Sequence, residues 1–475
     1  MINTFNVKIV EAKIRTRLVE IASNSTYHYL ALTAILLFAA GLRFYKLGEW
    51  SLWIDELFEI NSAQRAINEP VGLARVSLLL TGIALNYLAV NEWSARLVPA
   101  LMGVVSILIL YFPVRKLLGP AIALLSAALL ALSPWHLYWS QNARFYTTLI
   151  LFYALAQFAF FFWLESDRLR YLILSGLLFG LAVMERWVAL YFVPVVGMYF
   201  LMLIILRFEK PAGFRPRNLL LLVLSALVVG FYILFGSDML SEFYSLFIGY
   251  QHNPIRVLMS VIYDVGLPLF LTALLGGVYL ILQKSRLGLY LLMSAVVPVA
   301  LLVIMAPFTQ TFSRYVFITL PSWIILGAFA AVQLFTQVRM QTKLLAVGVL
   351  LLLLVDPFSQ NVLYYGFQNG NREDFKSAFA LVQQQRTPED TLVSTRPLVG
   401  TYYTGEEVIS SEEVDLDQIV ESGRRAWFVI DNRTFVSSQL QSWLDENTSL
   451  EGVYDVYLAG KVMMMRVYLY DPARP

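Results

Sequence analysis

The chain contains no cysteine, which excludes disulfides and thiolate metal sites. Its 475 residues include three histidines, His28, His136 and His252, too few for a histidine-rich metal centre. Charge is scarce as well. Asp, Glu, Lys and Arg make up 14% of the residues, against the ~25% usual in soluble domains. What fills the space is apolar: 58% of residues are hydrophobic and the mean hydropathy is +0.65, the composition of a membrane protein. The small net charge of +2 hides a split. From Ser359 onward there are 17 acidic and 10 basic residues, net −7, which leaves +9 for the rest. An acidic tail argues against a nucleic-acid partner. Residues 1–26 lack a signal-peptide cleavage pattern, because Lys8, Lys13, Arg15 and Arg17 precede a hydrophobic run too long for one. The first span is expected to remain as an anchor.

A membrane span needs about 20 mostly apolar residues. Eleven stretches qualify: 28–45, 97–114, 121–139, 145–164, 171–183, 188–206, 219–235, 265–282, 287–305, 315–335 and 344–355. A twelfth, 76–90, is short and interrupted by Asn86. Short cytoplasmic loops concentrate Lys and Arg, and this decides the twelfth. With eleven spans and the basic N-terminus inside, the inside loops hold Arg115/Lys116, Arg168/Arg170, Arg207/Lys210/Arg215/Arg217, Lys284/Arg286 and Arg339/Lys343. Counting 76–90 as a span would move all of those clusters outside. The eleven-span reading makes 46–95 one long outside segment, with 76–90 lying in the interface as an amphipathic or re-entrant helix. It also puts the C-terminal region outside, in a multi-pass protein of the cell membrane.

Composition shifts at Asp356-Pro357, and the tail from Ser359 reads as a small α/β domain. Residues 372–385 and 438–444 read as helices, 391–395 and 426–431 as strands, and 453–458 with 462–469 as a closing strand pair. The domains expected are therefore 1–358, membrane-embedded, and 359–475, soluble and extracytoplasmic.

Polar residues on the outside face gather at helix mouths. The first group, Trp50-Ser-Leu-Trp-Ile-Asp55-Glu56 with Glu59 following, lies beyond span one. Acids flanked by tryptophans also occur in ordinary interfacial belts. The second runs from Ser133-Pro-Trp-His136 through Gln141-Asn-Ala-Arg144-Phe-Tyr146, in the turn between spans three and four. The third is Phe312-Ser-Arg314-Tyr315, running into Pro321; Arg96, Arg186 and Arg256 stand singly. A lone arginine at a helix end commonly snorkels to headgroups. Several on the face that should be depleted of basic residues suit a lipid phosphate, which guanidinium binds bidentately. A facing carboxylate pair supplies a general base. The residues thus suggest transfer chemistry on a phospholipid-like donor at the outer leaflet.

Four segments, in order, carry a resemblance. They are Arg43-Phe-Tyr-Lys-Leu-Gly through Trp53-Ile-Asp55-Glu56; Asn91-Glu92-Trp-Ser-Ala-Arg96 through Gly103; Ser133-Pro through Arg144-Phe-Tyr146; and Arg314-Tyr315 through Pro321. Together they resemble the GT-C glycosyltransferases of the protein O-mannosyltransferase and lipid A aminoarabinose transferase type. The tail, from Arg372-Glu-Asp-Phe-Lys to Thr401-Tyr-Tyr-Thr-Gly405, resembles that of bacterial members. Many relatives carry a lysine after Gly-Leu-x-x-x-Thr where this chain has Glu185-Arg186, which keeps a positive charge.

The resemblance implies an all-α polytopic GT-C fold with a small C-terminal α/β domain, and a sugar donor on polyprenyl phosphate. Asp55 is implied as the base that deprotonates an acceptor hydroxyl or amine of an envelope lipid, glycan or protein, with inversion at the anomeric carbon. Arg144 and Arg314, with Tyr146 and Tyr315, are implied to hold the donor phosphate. Glu56 would orient an arginine or bind acceptor; Glu92, Arg96, His136, Gln141 and Arg186 are further candidates. No cofactor is required, although adjacent Asp55 and Glu56 could hold a divalent metal. The alternatives are a lipid-linked-sugar transporter and a lipid-linked glycan ligase. A transporter places ionisable residues at the bilayer midplane, whereas spans 145–164 and 344–355 have no charged residue and the polar groups sit at one mouth.

Overall fold

The computed structural model describes residues 25–69, 74–216, 218, 252–337, 343–458 and 461–473. The basic N-terminal segment, the expected span 219–235, Arg217 and Arg339 lie outside them. The chain divides into two units. The first comprises Met1–Arg43, Ala100–Ser140 and Phe145–Phe358; the second comprises Phe44–Pro99, Gln141–Arg144 and Ser359–Pro475.

The first unit is helical. Among the described residues of the chain, seven helices are long and apolar enough to cross a membrane, or nine if two bent pairs each count as one span. Nine of the eleven expected spans correspond to these. Span 171–183 falls in the 17-residue helix Leu169–Glu185. Both bends have a local cause. Pro120–Leu132 gives way to Pro134–Ser140 at 60°, where Pro134 has no N–H to continue the ladder. Pro254–Val265 meets Leu267–Leu282 at 93°, across Gly266 at φ +90°, a conformation that favours glycine. The expected span 265–282 therefore begins only at Leu267. Elsewhere glycine lets helices touch: a Cβ on Gly276 would lie 2.4 Å from the Leu326 carbonyl oxygen, so Leu267–Leu282 packs closely on Leu320–Gln337. Large aromatics fill the core, with Trp163, Trp323, Tyr290 and Phe317 almost completely buried.

In the second unit, helix Ile54–Asn68 buries Leu57, Ile60 and Ala63 on one face, the spacing of an amphipathic helix. Helix Val76–Leu88 lies against it, its Gly82 facing the Ala63 carbonyl so closely that a Cβ would come within 2.5 Å. Its 13 residues are well short of a span.

The tail carries a five-stranded sheet, ordered Ile409–Ser410, Thr391–Ser394, Ala426–Asp431, Met465–Tyr470 and Ser449–Val453. β1 (Thr391–Ser394) pairs in parallel with β2 (Ile409–Ser410) and β3 (Ala426–Asp431). β7 (Met465–Tyr470) runs antiparallel to β3 and to β4 (Ser449–Val453). β3 is buried at all six positions, which suits a strand covered on both faces. Helix Phe375–Gln385, capped by Asp374 onto the Ser377 N–H at 3.1 Å, packs on this sheet. The expected closing pair is divided. β5 (Val456–Leu458) pairs with β6 (Lys461–Met463), while β7 enters the main sheet, because its alternating burial needs a covered partner.

Candidate active site

The second unit builds its centre on Glu56. This residue stands in the first turn of helix Ile54–Asn68 and is completely buried. One carboxylate oxygen accepts from Arg96 Nε and the Ala143 N–H, both at 2.8 Å. The other accepts from Arg96 Nη2 at 2.8 Å and the Trp53 N–H at 3.4 Å, with Arg372 Nε 3.8 Å away. Arg96, equally buried, spends its remaining donors on the Leu47, Trp50 and Ser51 carbonyls at 3.1, 2.9 and 2.8 Å. Both charges are thus paired and hydrogen-bonded, the condition under which buried ions are tolerated. Burial alone would raise the Glu56 pKa; the Arg96 and Arg372 guanidiniums and these hydrogen bonds outweigh it and hold the carboxyl below its ordinary value.

Asp55 is the neighbour left accessible. Its side chain is 28% exposed and its carboxylate lies 3.5 Å from Arg144 Nη1, which also donates to the Asp55 carbonyl at 3.0 Å. Trp53 lies beneath the Arg144 guanidinium, 6.0 Å from its ring centroid, and donates its indole N–H to Asn142 at 2.7 Å. Asp55, Glu56, Arg96 and Arg144 therefore meet at one place. The adjacent acids point apart because successive helix positions do not share a face.

Gln141 and Glu92 lie in the same unit with structural partners. Gln141 accepts from Trp50 Nε1 at 3.3 Å and Tyr364 at 2.9 Å, and donates to the Tyr45 carbonyl at 2.7 Å. Glu92 pairs with Lys376 at 2.9 Å and accepts from the Tyr403 hydroxyl at 3.3 Å. Arg372, Lys376 and Tyr403 enter the sequence reading only within the tail segments that carry the resemblance, with no role assigned to them. Their partners are hundreds of positions away, so no local pattern could have assigned those roles.

The other candidates belong to the first unit. His136 is fully buried. Arg43 Nη2 donates to its Nδ1 at 2.8 Å, which leaves Nε2 protonated toward Ser106 Oγ at 3.0 Å. Both ring nitrogens are thereby engaged inside the helical core. Tyr146 is buried among aromatic rings, 3.9 Å from Trp139 and 4.5 Å from Phe145 between centroids. Arg314 lies over Phe312 at 4.3 Å and Tyr315 at 5.8 Å. Tyr315 contacts Trp187 at 5.9 Å, so Arg186, which precedes Trp187, shares this neighbourhood. Its guanidinium lies 5.8 Å from the Phe145 ring.

A divalent ion does not fit the Asp55/Glu56 pair, because both Glu56 oxygens are taken by Arg96 and backbone N–H groups. Among the described residues, no group of three or more His, Asp or Glu side chains could hold a metal.

Residues 76–235 match the family model described as dolichyl-phosphate-mannose-protein mannosyltransferase. A search of curated proteins finds no match. Among solved structures, ArnT from Cupriavidus metallidurans in the apo state aligns with a TM-score of 0.59 at 13% identity, covering 95% of this chain and 99% of that one. The same protein bound to undecaprenyl phosphate aligns at 0.56 and 14%, covering 93% and 98%. The archaeal oligosaccharyltransferase AglB from Archaeoglobus fulgidus, in complex with an inhibitory peptide and a dolichol-phosphate, aligns at 0.57 and 13%, covering 92% and 74%. The chain is thus a multi-pass membrane protein with the GT-C fold. Its architecture is similar to that of ArnT over nearly the whole length of both chains.

Proposed function

We propose that the chain is a membrane glycosyltransferase that moves a sugar from a polyprenyl-phosphate donor to an envelope lipid, glycan or protein. The observation that carries this reading is the accessible Asp55 beside Arg144, mounted on the saturated Glu56–Arg96 pair. The matched family model and the lipid phosphates bound in the similar structures support the donor class. Asp55 takes the proton from the acceptor hydroxyl or amine. The freed lone pair attacks the anomeric carbon from the face opposite the phosphate, which inverts it. The carbon–oxygen bond to the phosphate breaks, and polyprenyl phosphate leaves with the electron pair. Arg144 stabilises that charge, and the resemblance assigns Arg314, with Tyr315, the same role. Glu56 and Arg96 are positioning residues. No step needs a metal.

By this reading 1–358 is the catalytic domain, with 46–95 as its first extracytoplasmic loop, and 359–475 is the extracytoplasmic α/β domain. The loop charges support an N-terminus inside and a C-terminus outside. A reporter active only outside the cytoplasm, fused after Pro475, is expected to be active; silence overturns the orientation.

The test of function is transfer by reconstituted protein from a defined polyprenyl-phosphate sugar, with release of polyprenyl phosphate that depends on acceptor. Movement of intact donor across the bilayer without cleavage would favour a transporter. Use of only a diphosphate-linked oligosaccharide would favour a glycan ligase. Arg144→Lys and Arg314→Lys separate a phosphate clamp from a snorkelling anchor, since lysine keeps charge and length but loses the planar fork. Each is expected to raise the donor KM by about 10- to 100-fold, the worth of one charge-assisted hydrogen bond. Donor curves that match wild type in both would remove the clamp.

A further inference from the structure

Three side chains of the soluble tail reach into the segment that presents Asp55. The Tyr403 hydroxyl accepts from the Leu52 N–H at 2.8 Å and donates to Glu92 at 3.3 Å. Burial, reinforced by the Glu92 carboxylate, pushes that hydroxyl well above its ordinary pKa, so it keeps the proton it donates. Lys376 accounts for three contacts: its N–H to Ser51 Oγ at 2.9 Å, and its ammonium to the Gly48 carbonyl at 3.0 Å and to Glu92 at 2.9 Å. Arg372 is buried, donates to the Gln141 carbonyl at 2.6 Å and adds its charge beside Glu56. A fourth contact is steric. Asn369, Gly370 and Asn371 all have positive φ, and a Cβ on Gly370 would come 2.7 Å from the Trp50 ring. The turn therefore closes directly onto Trp50, which in turn donates to Gln141.

These contacts fall on Gly48, Trp50, Ser51 and Leu52, the residues just before the helix that carries Asp55, and on the Gln141–Arg144 turn that carries Arg144. Short segments outside regular structure have few ladder hydrogen bonds of their own and stay ordered only through such partners. A general base has to be held close to its productive position.

We infer that the soluble domain is a brace for the catalytic loop, with Tyr403, Lys376 and Arg372 acting as positioning residues that hold Asp55 and Arg144 in register. This deepens the proposed glycosyltransferase reading and rests on it. The brace sets turnover and leaves recognition of the acceptor to other surfaces.

The experiment compares wild type with Tyr403→Phe and Lys376→Gln in full-length, reconstituted protein, by hydrogen–deuterium exchange and by transfer kinetics. Tyr403→Phe keeps the ring and deletes both hydrogen bonds. It is expected to speed exchange in peptides covering 47–57 while the β1–β3–β7 sheet stays protected. It is expected to lower kcat by about 10- to 100-fold, as small misplacements of reacting groups do, with the KM for donor and acceptor unchanged. Lys376→Gln should act in the same direction, and it carries the test if Tyr403→Phe does not fold. Unchanged exchange over 47–57 overturns the brace. So does unchanged kcat, or a rise in acceptor KM alone, which would make the tail an acceptor-binding module. If wild type itself transfers no sugar, the functional reading fails, and exchange still decides whether the loop is braced.

Discussion

Asp55→Asn is expected to leave the protein folded and to lower turnover by about 10²- to 10⁴-fold, the usual contribution of a general base. The substitution keeps the shape of the side chain and removes its basicity. Asp55 is partly exposed, and its bond to Arg144 through the backbone carbonyl does not depend on the side chain. The structural cost is confined to the side-chain ion pair at 3.5 Å and to the favourable siting of a carboxylate in a first helical turn, about 0.3–1 kcal/mol. Thermal stability in detergent should therefore stay close to wild type while kcat collapses. Near-wild-type turnover in purified Asp55→Asn would falsify this assignment.

Glu56→Gln has the opposite profile, with the largest loss in stability. The change leaves Arg96 buried with its charge uncompensated, and breaking a buried pair in this way costs about 3–5 kcal/mol. The same pair makes stability depend on pH. Because the folded Glu56 carboxyl is held below its ordinary value, the unfolded chain takes up a proton at higher pH than the folded one. The stabilisation is complete above the ordinary carboxylate range and is lost as pH falls from there through the lower native value. Wild type should therefore lose melting temperature on acidification below about pH 4.5, and Glu56→Gln should lose less over the same interval. Replacing both partners, as in Glu56→Gln with Arg96→Met, should recover part of the loss, since no buried charge is then stranded. Equal melting temperatures for Glu56→Gln and wild type at neutral pH would remove Glu56 from the core of this unit.

Several features were legible in the chain because they are one-dimensional. Long apolar runs specify helices, since each residue of a lipid-facing helix has to be apolar and every backbone group has to be satisfied within the helix. Tryptophan, acid and arginine clusters stood out because such residues are rare in this composition. The strand 426–431 was legible from the aromatic and β-branched run Trp427-Phe-Val-Ile430 at its centre. Shorter elements were not. Ile409–Ser410, Leu416–Ser422 and Pro397–Thr404 are too brief for a period to register, and β7 was assigned to the wrong partner because pairing is decided by which face is covered.

The sequence alone determined that this is a polytopic membrane protein with an acidic tail and a polar cluster at a helix mouth, because hydrophobic burial and charge placement are properties of each residue in turn. It did not determine what each member of that cluster does. Asp55 and Glu56 are adjacent and chemically near-identical. Only the tertiary structure, by closing Arg96, the Ala143 N–H and Arg372 around one of them, divides an accessible carboxylate from a structural one. The reason is that a carboxylate's role is set by its partners in space, and those partners lie 40, 87 and 316 positions along the chain.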